Sequence, residues 1–216
     1  MKYFIDTEFI EGFRKPLFGK KRHFIDLISI GIIAEDGREY YAISNEYSYN
    51  KADEWVKKNV IIPMYLDTVH GDNRNRWDAM NFNRVYGKSN KQIAEEIISF
   101  INNEPIKTHK YANVVLLDNE SAKGIKNGYV SPEFYGYYAD YDWVLFCSLF
   151  GRMIDLPKGF PMYCKDLKQY FDDRQYMEKY DLKKQPNYPK QQNEHNALAD
   201  AKWNFELFKF LQTVNQ

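Results

Sequence analysis

Lys2-Tyr3-Phe4-Ile5-Asp6-Thr7-Glu8-Phe9 decides how the rest of the chain is read. Its aromatic and β-branched residues favour an extended strand, and two carboxylates interrupt it. Alternation along a strand brings Asp6 and Glu8 out on one face, about 6 to 7 Å apart. Paired acids on one face suit a divalent cation, which takes several hard oxygen ligands. The spacing alone marks nothing, because Asp118-Asn119-Glu120 repeats it after an apolar run at 112–117. The two copies differ in their downstream context. After Glu8, residues 24–34 and 38–44 read as strands joined by the turn Glu35-Asp36-Gly37, which makes a three-stranded meander. Residues 12–23 read as a loop inserted between the first two strands. After Glu120 a polar insertion runs to Gly128, and the segment from Phe134 to Trp143 then reads as a strand entering a helix. Asp142 falls at that junction, where a carboxylate can face the end of a sheet. The same position suits a helix N-cap, a role for which Asp140 competes.

At the other end of the chain, residues 194–213 read as an amphipathic helix. Lys202, Glu206, Lys209 and Thr213 form its polar stripe, with Ala197, Ala201, Phe205 and Phe208 beside it. Asp200 leaves that stripe and points inwards with Trp203, Asn204 and Leu207. A carboxylate aimed at the interior is costly unless a charge or a metal holds it. His195 alone would read as a surface or capping residue.

Between these ends lie a short helix at 51–60 ended by Pro63, a polar irregular stretch at 67–88, and a capping box at Ser89-Asn90-Lys91-Gln92. The box opens a helix with Ile93, Ile97, Phe100 and Ile101 on its apolar side. Further helices are expected at 141–150 and 165–173, and residues 180–193, with Pro186 and Pro189, should form a mobile loop carrying His195. Strands first, then strands alternating with helices, fit a mixed sheet with helices packed on it. At 216 residues and 44% hydrophobic composition, one domain with one good core is expected. Thirty basic and 30 acidic residues cancel, so no global field announces a nucleic-acid partner. Cys147 and Cys164 have neither metal-site nor disulfide spacing and read as thiols of a reducing compartment. No basic leader and no apolar run near the ~18 residues of a membrane span is present, so the expectation is a soluble cytoplasmic protein without a membrane partner.

Asp6-Thr7-Glu8, the strand-to-helix Asp142 and the spacing from His195 through Ala197 to Asp200 together resemble the three exonuclease motifs of the DEDD superfamily, whose domains have an RNase H-like fold. Histidine five residues before the last aspartate, with Asn196 where the sister branch carries tyrosine, resembles the DEDDh branch. Asp6-Thr7-Glu8-Phe9-Ile10-Glu11, residues 25–32, residues 35–42 and Phe160-Pro161-Met162-Tyr163 are similar to a bacterial 3'-5' exoribonuclease family first described in mycobacteria, and the likeness spans residues 1 to about 211. Two departures stand out: Tyr138 occupies the place where proofreading exonucleases carry asparagine, and residues 12–23 exceed a minimal connection.

The resemblance implies a single DEDDh domain over residues 1–216, an α/β fold with an RNase H-like mixed β-sheet flanked by α-helices. It implies a metal-dependent 3'-5' exoribonuclease that releases nucleoside 5'-monophosphates from single-stranded RNA or 3' overhangs with two divalent cations, Mg2+ or Mn2+. By the same resemblance Asp6, Glu8 and Asp200 hold one cation, Asp6 bridges to a second supported by Asp142, and His195 is the general base. Histidine is the side chain that exchanges a proton near neutral pH. Thr7 and Phe9 are expected at the substrate. Arg14, Lys15, Lys20, Lys21 and Arg22, with His23, make residues 12–23 the densest basic cluster, suited to gripping phosphates or a second subunit of a homodimer. The same acids and histidine would serve DNA equally well, so a 3'-5' exodeoxyribonuclease is the alternative. A silent nucleic-acid-binding module would be expected to have lost one of the five, and all five are present.

Overall fold

Strand β1 extends well past its apolar half. In the computed structural model it spans Lys2–Arg14 and pairs antiparallel with β2, Arg22–Ala34, over nearly its whole length. The structure describes residues 1–16, 18–69, 79–104, 108–109, 112–115 and 131–214. Gly37, with φ of 89°, takes the left-handed turn that leads into β3, Glu39–Ile43. The next helical elements are α1 (Glu54–Val56), α2 (Ile62–Thr68), α3 (Ala79–Tyr86) and α4 (Asn90–Ile101). A separate pair of short strands, β4 (Thr108–His109) and β5 (Ala112–Val115), precedes β6 (Glu133–Gly136). The chain ends through α5 (Asp140–Phe150), β7 (Lys165–Asp166), α6 (Leu167–Met177) and α7 (Ala197–Thr213).

The main sheet has the order β3-β2-β1-β6-β7. Its first three strands are antiparallel, whereas β6 and β7 join in parallel. This mixed five-stranded sheet flanked by helices is an α/β fold, in keeping with an RNase H-like arrangement. One face of β1 and β2, with Tyr3, Ile5, Ile30 and Ile32, packs against Ile93, Ile97 and Phe100 of α4 and against Phe146 of α5. The other face, with Phe4 and Ile33, packs against Ala201, Leu207, Phe210 and Leu211 of α7. The capping reading at Ser89 holds in its first half: the Ser89 hydroxyl oxygen accepts from the Gln92 amide at 3.1 Å. Gln92 turns instead to Glu96, at 3.1 Å.

Several sequence expectations are corrected. Pro63 does not end a helix, because residues 57–61 form a π turn whose Ile62 amide bonds the Lys57 carbonyl. Pro63 then lies in the first turn of α2, where a missing N–H is tolerated. Part of the stretch expected to be irregular is helix α3. Lys165 and Asp166 form an edge strand rather than the start of a helix. Residues 12–23 are not a simple loop, since β1 and β2 continue as a two-stranded arm to the register pair Arg14 and Arg22. The end of that arm, Phe13 and Arg14 with Arg22 and His23, is exposed, so the ladder rather than a core sustains it there. The segment expected to be a mobile loop is tied down by buried Leu182, by Tyr188 against Phe171 and Phe210, and by the Trp203 indole donating to the Pro189 carbonyl at 3.1 Å. The second Asp-x-Glu copy, Asp118 and Glu120, lies outside the described residues.

Candidate active site

Alternation along β1 puts Asp6 and Glu8 on the face covered by α7. Asp6 stands opposite Gly31 in the ladder and Glu8 opposite Ser29, and a bulge comes next at Glu8/Phe9. Gly31 is what lets α7 come close. A Cβ built there would lie 2.3 Å from the Ala197 carbonyl and 2.4 Å from Leu198 Cα, so the first turn of α7 rests directly on the β2 backbone. The Asn204 side-chain amide donates to the Ile5 carbonyl at 2.9 Å and fixes the helix against β1 beside Asp6. Asp200, buried in the first turn of α7, thereby joins the strand acids, and carboxylate oxygens of Asp6, Glu8 and Asp200 lie within 4.8 Å of one another.

Asp142 reaches the same cleft from α5. It caps no helix end, as Ala139 holds that position. Its Oδ1 accepts from the Thr7 amide at 2.9 Å and from the Thr7 hydroxyl at 2.6 Å. Pairing of β1 with β6 stops at Phe4 and Tyr135, so Asp142 supplies the acceptor that a longer β6 would have provided. Thr7, expected at the substrate, is buried with both of its donors engaged by Asp142. Asp140, in contrast, is exposed.

Asp200 has protein partners as well: Gln191 Nε2 donates to it at 2.7 Å and the His195 backbone N–H at 2.8 Å. An Asn196 cap on the Ala199 amide starts α7. Just before the cap, Asn193 and His195 hold left-handed backbone at φ of 55° and 67°, a costly conformation that concentrates at functional sites. The His195 ring lies T-shaped against Trp55 of α1, with centroids 4.9 Å apart.

The four acids repel one another. Burial raises the Asp6 carboxyl well above its usual range, and the charges of Asp142, Glu8 and Asp200 raise it further. Burial, then Asp200 and Asp142, push Glu8 up to about 8. Asp142 rises to about 6 through burial, against the pull of the Thr7 hydrogen bonds. Burial also raises Asp200, with Gln191 and the His195 amide opposing it. Asp142 and Asp200 lie in the first turns of α5 and α7, where the positive helix ends favour negative charge. The cleft, of about 360 Å³, is lined by these acids, His195, Gln191 and an aromatic rim of Phe9, Tyr138 and Tyr141, with no lysine or arginine among the described residues. Converging oxygens without a basic partner are the donor set of a hard divalent cation. A larger hollow of about 470 Å³ at Asn45, Tyr47 and Asn83 has no acid or histidine among the described residues of its lining.

Comparison with known proteins points in the same direction. The family model described as the 3'-5' exoribonuclease Rv2179c-like domain matches residues 1–212. The chain belongs to this family. It is 29% identical over 215 residues to two Mycobacterium tuberculosis proteins: 3'-5' exoribonuclease Rv2179c of strain ATCC 25618 / H37Rv, and 3'-5' exoribonuclease MT2234.1 of strain CDC 1551 / Oshkosh. The match covers 100% of this chain and 95% of each relative. As a member of the Rv2179c-like exoribonuclease family, the protein is an exonuclease. Among the described residues, no helix is long and apolar enough to cross a membrane.

In this Rv2179c-like domain the structure brings Asp6, Glu8, Asp142, Asp200 and His195 to one cleft, with Phe9 on its rim, T-shaped against Tyr141 at 5.4 Å. None of Arg14, Lys15, Lys20, Lys21 and Arg22 is in the lining; Arg14 and Arg22 form the last register pair of the arm, and Lys15, Lys20 and Lys21 lie in the connection beyond it. Sequence reasoning missed Gln191 and Trp55. No local pattern ties Trp55, 140 positions before His195 in the chain, to that histidine, whereas the strained turn at Asn193 agrees with asparagine's tolerance of left-handed backbone.

Proposed function

We propose that the cleft removes nucleoside 5'-monophosphates from the 3' ends of single-stranded RNA. The convergence of Asp6, Glu8 and Asp200 within 4.8 Å carries the reading. Asp6, Glu8 and Asp200 would hold one divalent cation, and Asp6 with Asp142 a second. When bound, Mg2+ or Mn2+ makes a water nucleophilic at neutral pH and neutralises charge on the leaving oxygen.

The chain's own residues do the rest. His195 takes the proton from the attacking water at its imidazole. Trp55 supports the ring from one side, and the His195 amide on Asp200 locks the histidine turn to the acid cluster. Removing Asp200 would therefore disturb the base as well as a cation ligand. Thr7, in the wall of the cleft, holds Asp142 in place. Phe9, Tyr138 and Tyr141 offer faces to the terminal bases; Tyr138 is 64% exposed on a left-handed backbone at φ of 56°. The Glu8 carboxylate and neighbouring backbone amides read the 3' hydroxyl, which confines cleavage to chain ends.

The family and both relatives carry RNA in their names, which favours RNA over DNA as substrate. Purified protein on 5'-labelled single-stranded RNA and DNA of one sequence, with Mg2+, Mn2+ or EDTA, tests the proposal. The expected result is a ladder shortening from the 3' end on RNA and loss of activity in EDTA. Internal cuts, faster digestion of DNA, or undiminished activity in EDTA would overturn it.

A further inference from the structure

We infer that the arm formed by the outer halves of β1 and β2 grips the body of an RNA whose 3' end lies in the cleft; this rests on the exoribonuclease reading above. The arm joins two kinds of surface that single-stranded RNA recognises. Phe18 is 88% exposed and Phe13 is 68% exposed, flat faces on which bases can stack. Lys15, Lys20, Lys21 and Arg22 are exposed around them, and none of the four is in an ion pair among the described residues. Arg14 plays a different part. Its guanidinium lies on the Phe24 ring at 4.6 Å and bonds both Asp26 oxygens at 2.6 Å, so it stiffens the arm and its charge is neutralised.

Distance sets which substrates can feel the arm. Arg14 lies six residues beyond Glu8 on the same strand, about 20 Å at ~3.3 Å per residue. Bases stacked at ~3.4 Å would cover that span in about six nucleotides. Among the described residues the cleft lining has no lysine or arginine, whereas the arm carries four exposed basic side chains for the phosphates upstream of the reacting one. Short products would leave unaided, while longer chains would stay engaged through successive cuts.

The test compares the parent with Lys20→Ala/Lys21→Ala/Arg22→Ala and with Phe18→Ala, on an RNA of about 16 nucleotides and on a dinucleotide, across a salt series with Mg2+. Each variant should raise KM for the long RNA about tenfold. The triple variant should also flatten the slope of log affinity against log salt by up to about 2. Turnover of the dinucleotide, which ends short of the arm, should stay within about twofold of the parent. An unchanged salt slope, or dinucleotide turnover falling in parallel with that of long RNA, would overturn the inference. A change of oligomeric state on sedimentation would assign the arm to a second copy of the chain instead. Failure of the parent to turn over any RNA would sink the exoribonuclease reading alone, because fluorescence anisotropy still reports whether the arm binds the long RNA.

Discussion

Replacing Glu8 with glutamine should stabilise the metal-free protein while abolishing its activity. Glu8 ionises with difficulty, since burial and the charges of Asp200 and Asp142 lift its pKa from 4.5 to about 8. A carboxyl whose folded pKa is raised keeps a proton that the unfolded chain releases, so stability falls as pH rises from about 4.5 towards about 8. At ~1.36 kcal/mol per pH unit, the ceiling on that loss is about 5 kcal/mol above pH 8. Neighbouring acids that protonate in turn and the partly exposed position of Glu8 reduce it to about 2 kcal/mol. In a chain of this length ~1 kcal/mol moves Tm by about 2 to 4 °C. Glu8→Gln in EDTA at pH 8.5 should therefore melt about 4 to 8 °C above the parent, and the gap should close to about 2 °C at pH 5, where the parent holds its proton. Millimolar Mg2+ should raise the parent's Tm and narrow or reverse the gap, because a bound cation stabilises only the folded state. Calorimetry at three pH values, with EDTA and with Mg2+, reads all of this. Parallel Tm profiles for parent and variant from pH 5 to 8.5 would refute the idea that mutual repulsion among the acids is waiting for a cation.

His195→Ala should lower kcat by about 10² to 10⁴ while leaving Mg2+ affinity near the parent's, measured by turnover and isothermal titration. Trp55→Ala should lower kcat less, by about tenfold, with KM nearly unchanged, since it removes the ring's support and not the ring. Asp142→Asn should be inactive and Asp140→Asn near normal in the same assay; the opposite result would mean that the wrong acid of the α5 turn has been chosen. Gly31→Ala puts a Cβ 2.3 Å from the Ala197 carbonyl, so it should cost at least about 2 kcal/mol in denaturant unfolding and lose activity by pushing Asp200 away from Asp6.

How far the sequence could be read depended on how local the physics was. Alternation in β1 alone placed Asp6 and Glu8 on one face, and the 3.6-residue period placed Asp200, Asn204 and Leu207 inside, as observed. The meander was legible from its turn, and α4 from its cap. The resemblance brought the distant acids and His195 together, but the contacts that hold them there were hidden. Asp200 reads as an acid without a partner until Gln191 and the His195 amide arrive from a turn whose shape depends on two left-handed residues. The arm was hidden because its exposed end, Phe13 and Arg14 opposite His23 and Arg22, needs no hydrophobic alternation, only a backbone ladder. Thr7 shows the difference most clearly. A threonine between two acids on a strand reads as a bystander or a substrate contact, and its residue type supports either. Only the early end of β6, which leaves the Thr7 amide without a strand partner, turns it into the anchor of Asp142 and so brings the fourth acid to a cleft that β1 and α7 had already built.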